Sequence, residues 1–266
     1  MKAKKLIIAA AGLITALAAV RMYLIGARFG KGSLGFLKNR ELLRAPGNAK
    51  QYHLNQVNAL KASPLYSKHL CFLGSSVTAG DASLAVSFAD YLSKRNSCTY
   101  VKEALGGTTL VDNGPDSYIQ RMISRIDKNE LFDCFICQLS TNDASKGFDL
   151  GHISTTKDRN SFHTNTILGA IEYIIAYAKQ TWDCPVVFYT GTKFDSVNYE
   201  AMVEALLQLQ KKWDIGVIDL WHDEEMNGVS KTDYNLYMFD QVHPTQAGYL
   251  KWWTPVMEKY LYEFLN

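Results

Sequence analysis

A serine and a closely spaced aspartate–histidine pair are the residues of this sequence that could carry out nucleophilic catalysis together. Ser76 lies in the turn that ends an apolar run over residues 70–73, and Asp240 precedes His243 by three residues. A serine hydroxyl needs a base to remove its proton, and an imidazole held by a carboxylate suits that task near neutral pH. The sequence therefore predicts Ser76 as nucleophile, His243 as base and Asp240 as the carboxylate that orients His243.

Hydrogen-bond donors for an oxyanion are the second requirement of such chemistry. The backbone N–H groups of Ser76 and Gly107 and the side-chain amide of Asn142 are three candidates. Glycine allows a close approach of the backbone, and asparagine donates without adding charge. We therefore expect an oxyanion hole formed by these three groups.

The elements that must position these residues follow from the alternation of apolar strand patterns with amphipathic helix patterns. Strict alternation predicts an α/β domain, a three-layer αβα sandwich around a five-stranded parallel sheet. The loops after parallel strands gather at one edge of the sheet, so the candidate residues should meet there. Strands are predicted over 69–74, 99–104, 132–139, 185–190 and 215–220, and helices near 83–95, 116–129, 162–181, 198–213 and 245–264.

Four polar segments of the chain resemble the conserved blocks of the SGNH, or GDSL-like, hydrolase superfamily over about residues 68–265. They are Gly74-Ser75-Ser76-Val77-Thr78, Gly106-Gly107-Thr108-Thr109, Ser140-Thr141-Asn142-Asp143 and Asp240-Gln241-Val242-His243-Pro244. The resemblance implies a flavodoxin-like sheet, Ser76 as nucleophile, Asn142 as oxyanion donor, and Asp240 with His243. It implies Gly107 as the oxyanion glycine, with Gly106 as the near alternative.

Two residues depart from the pattern of that superfamily. Ser75 stands where its members usually have aspartate, and Ser140 stands where they usually have glycine. Neither change removes a predicted catalytic group. Ser75 becomes a formal rival to Ser76, although the spacing to Gly74 favours Ser76.

The resemblance implies a serine esterase that forms an acyl-enzyme on Ser76 and requires no cofactor. The substrate could be an O-acetylated glycan of the cell envelope, a lipid or a small acyl ester. Acyl transfer to an alcohol through the same intermediate is one alternative. A non-catalytic glycan-binding protein of the same fold is the other, and the intact candidate residues argue against it.

Composition excludes several other classes of protein. With 28 basic and 26 acidic residues, the net charge of +2 gives no sign of a nucleic-acid partner. Five cysteines, an odd number, do not indicate a disulfide framework. Cys134 and Cys137 lie within a predicted strand, where their side chains would face opposite ways, so no metal site is expected. Among the other histidines, His222 is the favoured substrate contact.

The N-terminal part of the chain predicts a membrane anchor. Three lysines precede an uncharged apolar run over residues 6–20, so residues 1–27 are interpreted as a signal-anchor or transmembrane segment. A cleaved signal peptide is the rival interpretation. Residues 28–66 are interpreted as a basic linker with a helix over 49–65, and residues 67–266 as the catalytic domain. The extracytoplasmic side is favoured for that domain, although the count of flanking basic residues points the other way.

Overall fold

The computed structural model describes residues 36–265, with side chains from residue 39. The predicted anchor, residues 1–27, lies outside the described residues. Within residues 36–265, no helix combines the length and the apolar character that a bilayer span requires.

Five parallel strands form a single sheet in the order β2-β1-β3-β4-β5, which confirms the predicted architecture. Two of them have the predicted bounds, and the other three are shorter by one or two residues at each end. The strands are β1 (His69–Gly74), β2 (Thr99–Ala104), β3 (Cys134–Gln138), β4 (Val186–Tyr189) and β5 (Gly216–Ile218).

Helices cover both faces of the sheet, so the three-layer sandwich is also confirmed. A π-helical turn, Tyr249–Trp253, lies between the last two α-helices. The α-helices are α1 (Phe36–Arg44), α2 (Ser76–Ala79), α3 (Phe88–Asn96), α4 (Tyr118–Arg125), α5 (Thr141–Lys146), α6 (Ile167–Trp182), α7 (Val197–Trp213), α8 (Glu224–Asn227), α9 (Lys231–Tyr237), α10 (Gln246–Gly248) and α11 (Thr254–Phe264).

Alternate residues of each strand divide the apolar core into two parts. Along β1, Cys71 and Leu73 enter the core beneath α4, α6 and α7, whereas Leu70 and Phe72 enter the core beneath α3 and α11. Every residue of β3 is buried. A parallel sheet covered on both faces needs such near-continuous apolar strands, and this explains why its sequence pattern is easy to recognise.

The cysteines lie inside this core. All five are free and buried, and Cys134 and Cys137 lie in opposite parts of the core, as their position on one strand predicts. Burial raises the pKa of the Cys71, Cys134 and Cys137 thiols well above the usual value. These side chains therefore remain protonated thiols in the folded protein.

Several predicted helices differ from the observed ones. The segment 49–65 contains 3₁₀ turns, such as Lys50–Tyr52 and Leu54–Gln56, in place of the predicted helix. Helix α3 begins at Phe88, five residues later than predicted, because Ser87 and Asp90 form a capping box there. The prediction at 162–181 begins too early, since Thr166 caps α6 through Gly169 N–H.

The segment before β1 packs against the domain. Leu42 and Leu65 are buried, and Asn48 joins the segment to the domain by two hydrogen bonds. Its Nδ2 donates to the Ala82 carbonyl at 2.9 Å, and its Oδ1 accepts from Gln246 N–H at 2.9 Å. The domain boundary at residue 67 stays a prediction.

The strand order creates one reversal of direction, between β1 and β3. The chain builds β2 on one side of β1 and then crosses to add β3, β4 and β5 on the other side. In open α/β sheets a crevice forms at such a point, outside the carboxyl ends of the two strands. The segments 74–76 and 140–142 follow those two strands.

Candidate active site

Ser76 occupies the first position of α2, directly after the strand β1. The preceding Ser75 has a non-helical backbone (φ −116°, ψ −141°), which turns the chain sharply out of the sheet. Ser76 is 7% exposed. Its N–H lies in the first turn of a helix, where backbone N–H groups have no intrahelical acceptor.

Gln138, at the end of β3, holds this turn from below. Its Oε1 accepts hydrogen bonds from Ser75 N–H at 2.9 Å, from Thr78 N–H at 3.3 Å and from Thr78 Oγ1 at 2.8 Å. A further hydrogen bond of 2.6 Å joins Thr78 Oγ1 to the Tyr189 hydroxyl. The backbone around Ser76 is therefore fixed by a buried network of polar side chains.

We expect Gly74→Ala to lower the free energy of unfolding by about 1–3 kcal/mol, the usual cost of overpacking. A Cβ at Gly74 would lie 1.7 Å from Thr78 Oγ1 and 2.9 Å from Gln138 Oε1. Urea denaturation measures the change. Gly191→Ala is the control, since its Cβ would meet no atom closer than 3.7 Å. Equal stability of the two variants would contradict the prediction.

The structure brings the three predicted catalytic side chains together. His243 Nε2 lies 2.7 Å from Ser76 Oγ, and His243 Nδ1 lies 2.9 Å from both carboxylate oxygens of Asp240. Because Nδ1 faces a carboxylate, it carries the ring proton, and Nε2 accepts from the serine hydroxyl. This chain of hydrogen bonds is the arrangement that general-base activation of a serine requires.

Asp240 is organised by its own loop. Its Oδ1 accepts the backbone N–H groups of Val242 and His243 at 2.9 and 2.8 Å. Burial alone would raise the pKa of Asp240, but the hydrogen bond and charge of His243, together with these N–H groups, lower it to about 2. The carboxylate therefore remains ionised throughout the neutral range.

The loop that joins β2 to α4 contains the predicted oxyanion glycine. Gly107 has φ +81°, a left-handed conformation that favours glycine, and its carbonyl accepts from Lys146 Nζ at 3.0 Å. The Asn142 side-chain amide donates to the neighbouring Thr108 carbonyl at 2.9 Å. The second hydrogen of that amide has no acceptor among the described residues. Gly107 and Asn142 are thus joined through Thr108.

Gly106, the near alternative, has different surroundings. A Cβ at Gly106 would lie 2.0 Å from the Asp81 carboxylate. The Asp81 carboxylate therefore lies directly against the Cα of Gly106. The surroundings of Gly107 are open, with no atom within 4 Å of the corresponding position.

The two serines that depart from the expected pattern have distinct environments. Ser75 is fully buried, and its hydroxyl faces the equally buried hydroxyl of Tyr118. Ser140 caps α5, since its Oγ accepts from Asn142 N–H at 3.2 Å. Ser140 therefore orients the backbone of the residue that carries the predicted amide donor.

Gln138 is not among the site residues predicted from the sequence, and Asp143 is predicted only as part of the block 140–143. Asp143 is buried and accepts N–H groups of Leu110 and Val111 at 2.9 and 3.0 Å. Burial raises the pKa of Asp143, although these bonds oppose the shift. One signal was available for Gln138, because it is the sole polar residue of β3.

His222, the substrate contact favoured from the sequence, pairs with carboxylates of the protein. Its Nδ1 lies 2.7 Å from Asp219 Oδ2, and its Nε2 lies 3.3 Å from Glu204 Oε1. Both ring nitrogens therefore face carboxylates of the protein. This Asp–His pair has the same three-residue spacing as Asp240 and His243, but its imidazole has no bond to a serine hydroxyl.

Two concave regions border the site. A narrow cavity of about 10 Å³ is lined by Val77, Thr141 and Val242, the chain neighbours of Ser76, Asn142 and His243, and by aromatic side chains that include Phe194. A wider groove of about 350 Å³ contains Gly107 and polar side chains. The cavity has room for about one water-sized group.

Comparison with known proteins identifies relatives of this fold. The family model of the GDSL-like Lipase/Acylhydrolase family matches residues 72–251. No curated protein matches the chain.

Several solved structures are similar. A Lactobacillus plantarum protein is 20% identical with a TM-score of 0.59, covering 75% of this chain and 97% of that one. A possible lipase from Chitinophaga pinensis is 15% identical with a TM-score of 0.56, covering 74% and 98%. A family two carbohydrate esterase from Clostridium thermocellum, solved with cellohexaose, is 14% identical with a TM-score of 0.51, covering 79% and 66%. At these levels of sequence identity, the similarity shows a shared fold and nothing beyond it.

Proposed function

Since the chain belongs to the GDSL-like lipase/acylhydrolase family and is an ester-hydrolysing enzyme, we propose that it is a serine esterase with Ser76 as its nucleophile. The observation that carries the proposal is the continuous hydrogen-bonded chain from Ser76 Oγ through His243 to Asp240. No other histidine of the described chain has a hydrogen bond to a serine hydroxyl.

In the first half-reaction, Ser76 Oγ attacks the ester carbonyl carbon as its proton moves to His243 Nε2. The tetrahedral intermediate then collapses, the bond to the alcohol oxygen breaks, and His243 gives that oxygen the proton. The acyl group is now bonded to Ser76 Oγ. In the second half-reaction, water loses a proton to His243 Nε2 and attacks the acyl carbon, and the proton returns to Ser76 Oγ as the carboxylic acid leaves.

The oxyanion of each intermediate would accept hydrogen bonds from the N–H groups of Ser76 and Gly107 and from Asn142 Nδ2. Each such donor typically contributes about 3–4 kcal/mol to the stability of the transition state. Support comes from the open surroundings of Gly107 and from the link through the Thr108 carbonyl, which holds the Asn142 amide beside the same loop. Lys146 Nζ donates to the Gly107 carbonyl at 3.0 Å.

We assign the narrow cavity to the acyl group and the wider groove to the alcohol. A cavity of about 10 Å³ suits the methyl group of an acetyl ester, and each additional methylene would have to displace its wall. The groove presents Asn113 and Lys146, whose polar groups suit the hydroxyls of a sugar. An O-acetylated glycan is the substrate class that fits both features.

A panel of esters with one alcohol and acyl groups from acetyl to dodecanoyl tests this assignment. We expect kcat/KM to be highest for acetyl and to fall at least about tenfold by butyryl, because misfit methylenes cost about 1–3 kcal/mol. Phe194, which packs 5.1 Å from the Tyr199 ring and 5.4 Å from the Trp221 ring, forms a wall of the cavity. Phe194→Ala should shift the optimum to longer chains.

Ser76→Ala provides the background rate for every ester of the panel. A wild-type preference for long acyl chains would exclude the acetyl assignment while leaving the serine mechanism intact. Equal hydrolysis by wild type and Ser76→Ala would exclude the serine mechanism itself.

A further inference from the structure

Arg121, on α4, is a fully buried cation directly beneath the proposed site. Its side chain is 0% exposed. A guanidinium has five N–H groups, and here each has an acceptor. The acceptors are Asp116 O at 3.0 Å, Glu103 O at 3.0 Å, Glu103 Oε1 at 2.9 Å, Gly74 O at 2.8 Å and Thr108 Oγ1 at 3.1 Å.

These acceptors belong to different segments of the crevice. Gly74 is the last residue of β1 and lies two residues before Ser76, whereas Thr108 directly follows Gly107. Both bonds come from one nitrogen, Nη2. The planar guanidinium therefore fixes the end of β1 relative to the loop that contains Gly107. Glu103, the last residue but one of β2, balances the charge.

Thr108 connects this cation to Gly107 and to Asn142. Its Oγ1 accepts from Arg121 and donates to the Leu105 carbonyl at 2.6 Å, and its own carbonyl accepts from Asn142 Nδ2. A displacement of the Thr108 side chain would therefore move the backbone beside Gly107 and release the Asn142 amide from its acceptor.

We propose that Arg121 is a positioning residue for the oxyanion hole, acting through Thr108 and Gly74, an inference that rests on the proposed function. A lysine cannot reproduce the planar fork, because its ammonium is a point charge on a flexible stem. With lysine at this position the buried positive charge would remain, but no planar group would hold the Gly74 carbonyl and the Thr108 hydroxyl in a fixed relation.

Two variants test the proposal, Arg121→Lys and Thr108→Val. The valine removes the link to Arg121 and the bond to Leu105 while it conserves the shape of threonine. For an acetyl ester we expect either variant to lower kcat about 10–100-fold, since a displacement of about 1 Å at a catalytic group costs about 10²-fold. KM should change less than about twofold, because the donors act mainly on the transition state.

Arg125→Lys is the matched control. Arg125 lies one turn further along α4 and bonds to Glu103 Oε1 and Asp116 Oδ1, but to neither Gly74 nor Thr108. It should keep the wild-type kcat. Thr108→Ser restores the hydroxyl and should recover most of the activity lost in Thr108→Val.

Urea unfolding midpoints for each variant separate positioning from stability. The proposal is overturned if Thr108→Val retains wild-type kcat, or if its loss of kcat equals its loss of folded protein at the assay temperature. Should Arg121→Lys fail to fold, Thr108→Val and Thr108→Ser decide the question alone. Activity of Ser76→Ala would refute the proposed function instead, whatever the behaviour of these variants.

Discussion

Replacing Ser76 with alanine should lower kcat by about 10⁶-fold, the size of the effect when the nucleophile of a serine hydrolase is removed. Among residues 36–265 the only side-chain partner of Ser76 Oγ is His243 Nε2, so the loss of one exchangeable hydrogen bond should change the free energy of unfolding by no more than about 1 kcal/mol. A fluorophosphonate probe that phosphonylates active serines should label the wild type and leave Ser76→Ala unlabelled.

Ser75→Ala is the matched control for this prediction. His243 Nε2 bonds to Ser76 and not to Ser75, and the backbone N–H of Ser75, which bonds to Gln138, is unaffected by the change. Probe labelling that persists in Ser76→Ala but disappears in Ser75→Ala would reassign the nucleophile to Ser75.

Asp240→Asn should lower kcat by about 10⁴-fold, because an asparagine at this position can hold the imidazole in the wrong tautomer. With its carbonyl or amide facing Nδ1, the side chain no longer stabilises the imidazolium that forms when His243 accepts the proton. The decrease should appear in kcat, measured under conditions in which the variant is folded.

The low pKa of Asp240 predicts that its contribution to the free energy of unfolding depends on pH. Its folded pKa, about 2, lies below the ordinary value of 3.8, so its contribution is complete above pH 3.8 and disappears as the pH falls towards 2. The difference in free energy of unfolding between wild type and Asp240→Asn should therefore shrink between those two pH values. A difference that is constant down to pH 2 would contradict the pKa assignment.

Asp219→Asn is the control for both measurements. Asp219 pairs with His222 at the same spacing, with Nδ1 and Oδ2 2.7 Å apart, but His222 has no bond to a serine. Its replacement should leave kcat unchanged. A comparable loss of kcat in Asp219→Asn would indicate that damage to any such pair, wherever it lies, impairs the protein.

The sequence was sufficient to predict the sheet and the loops that converge at its edge, because both follow from local patterns. The apolar runs of β1 and β2 end where polar turns begin, and the structure ends those strands at the predicted residues. Strand alternation also predicted the opposite orientations of Cys134 and Cys137. The proximity of Ser76, Asp240 and His243 could be predicted, since parallel topology places their loops at one edge of the sheet.

The supporting residues could not be predicted because their partners are distant in sequence. Gln138 bonds to a turn 60 or more residues away, and Arg121 bonds to Gly74 across 47 residues. Arg121 lies in an amphipathic helix, where an arginine normally suggests a solvent-exposed face. Only the packing of α4 against the strand ends reveals that this cation is enclosed.

The errors in helix bounds have a similar origin. The segment 49–65 has helix-compatible composition, but its backbone is shaped by contacts with the domain, such as the Tyr91 hydroxyl on the Tyr52 carbonyl at 2.6 Å. For α3, the capping box formed by Ser87 and Asp90 determines the first residue. Such a pair, three residues apart, can be recognised in the sequence.

The buried thiols have a consequence for how this protein withstands its chemical surroundings. A protonated, enclosed thiol is a poor target for oxidants and alkylating agents, since these react with accessible thiolate. Oxidants and alkylating agents should consequently react slowly with these thiols while the domain is folded. Because three of them lie on the central strands β1 and β3, their modification reports the opening of the sheet itself.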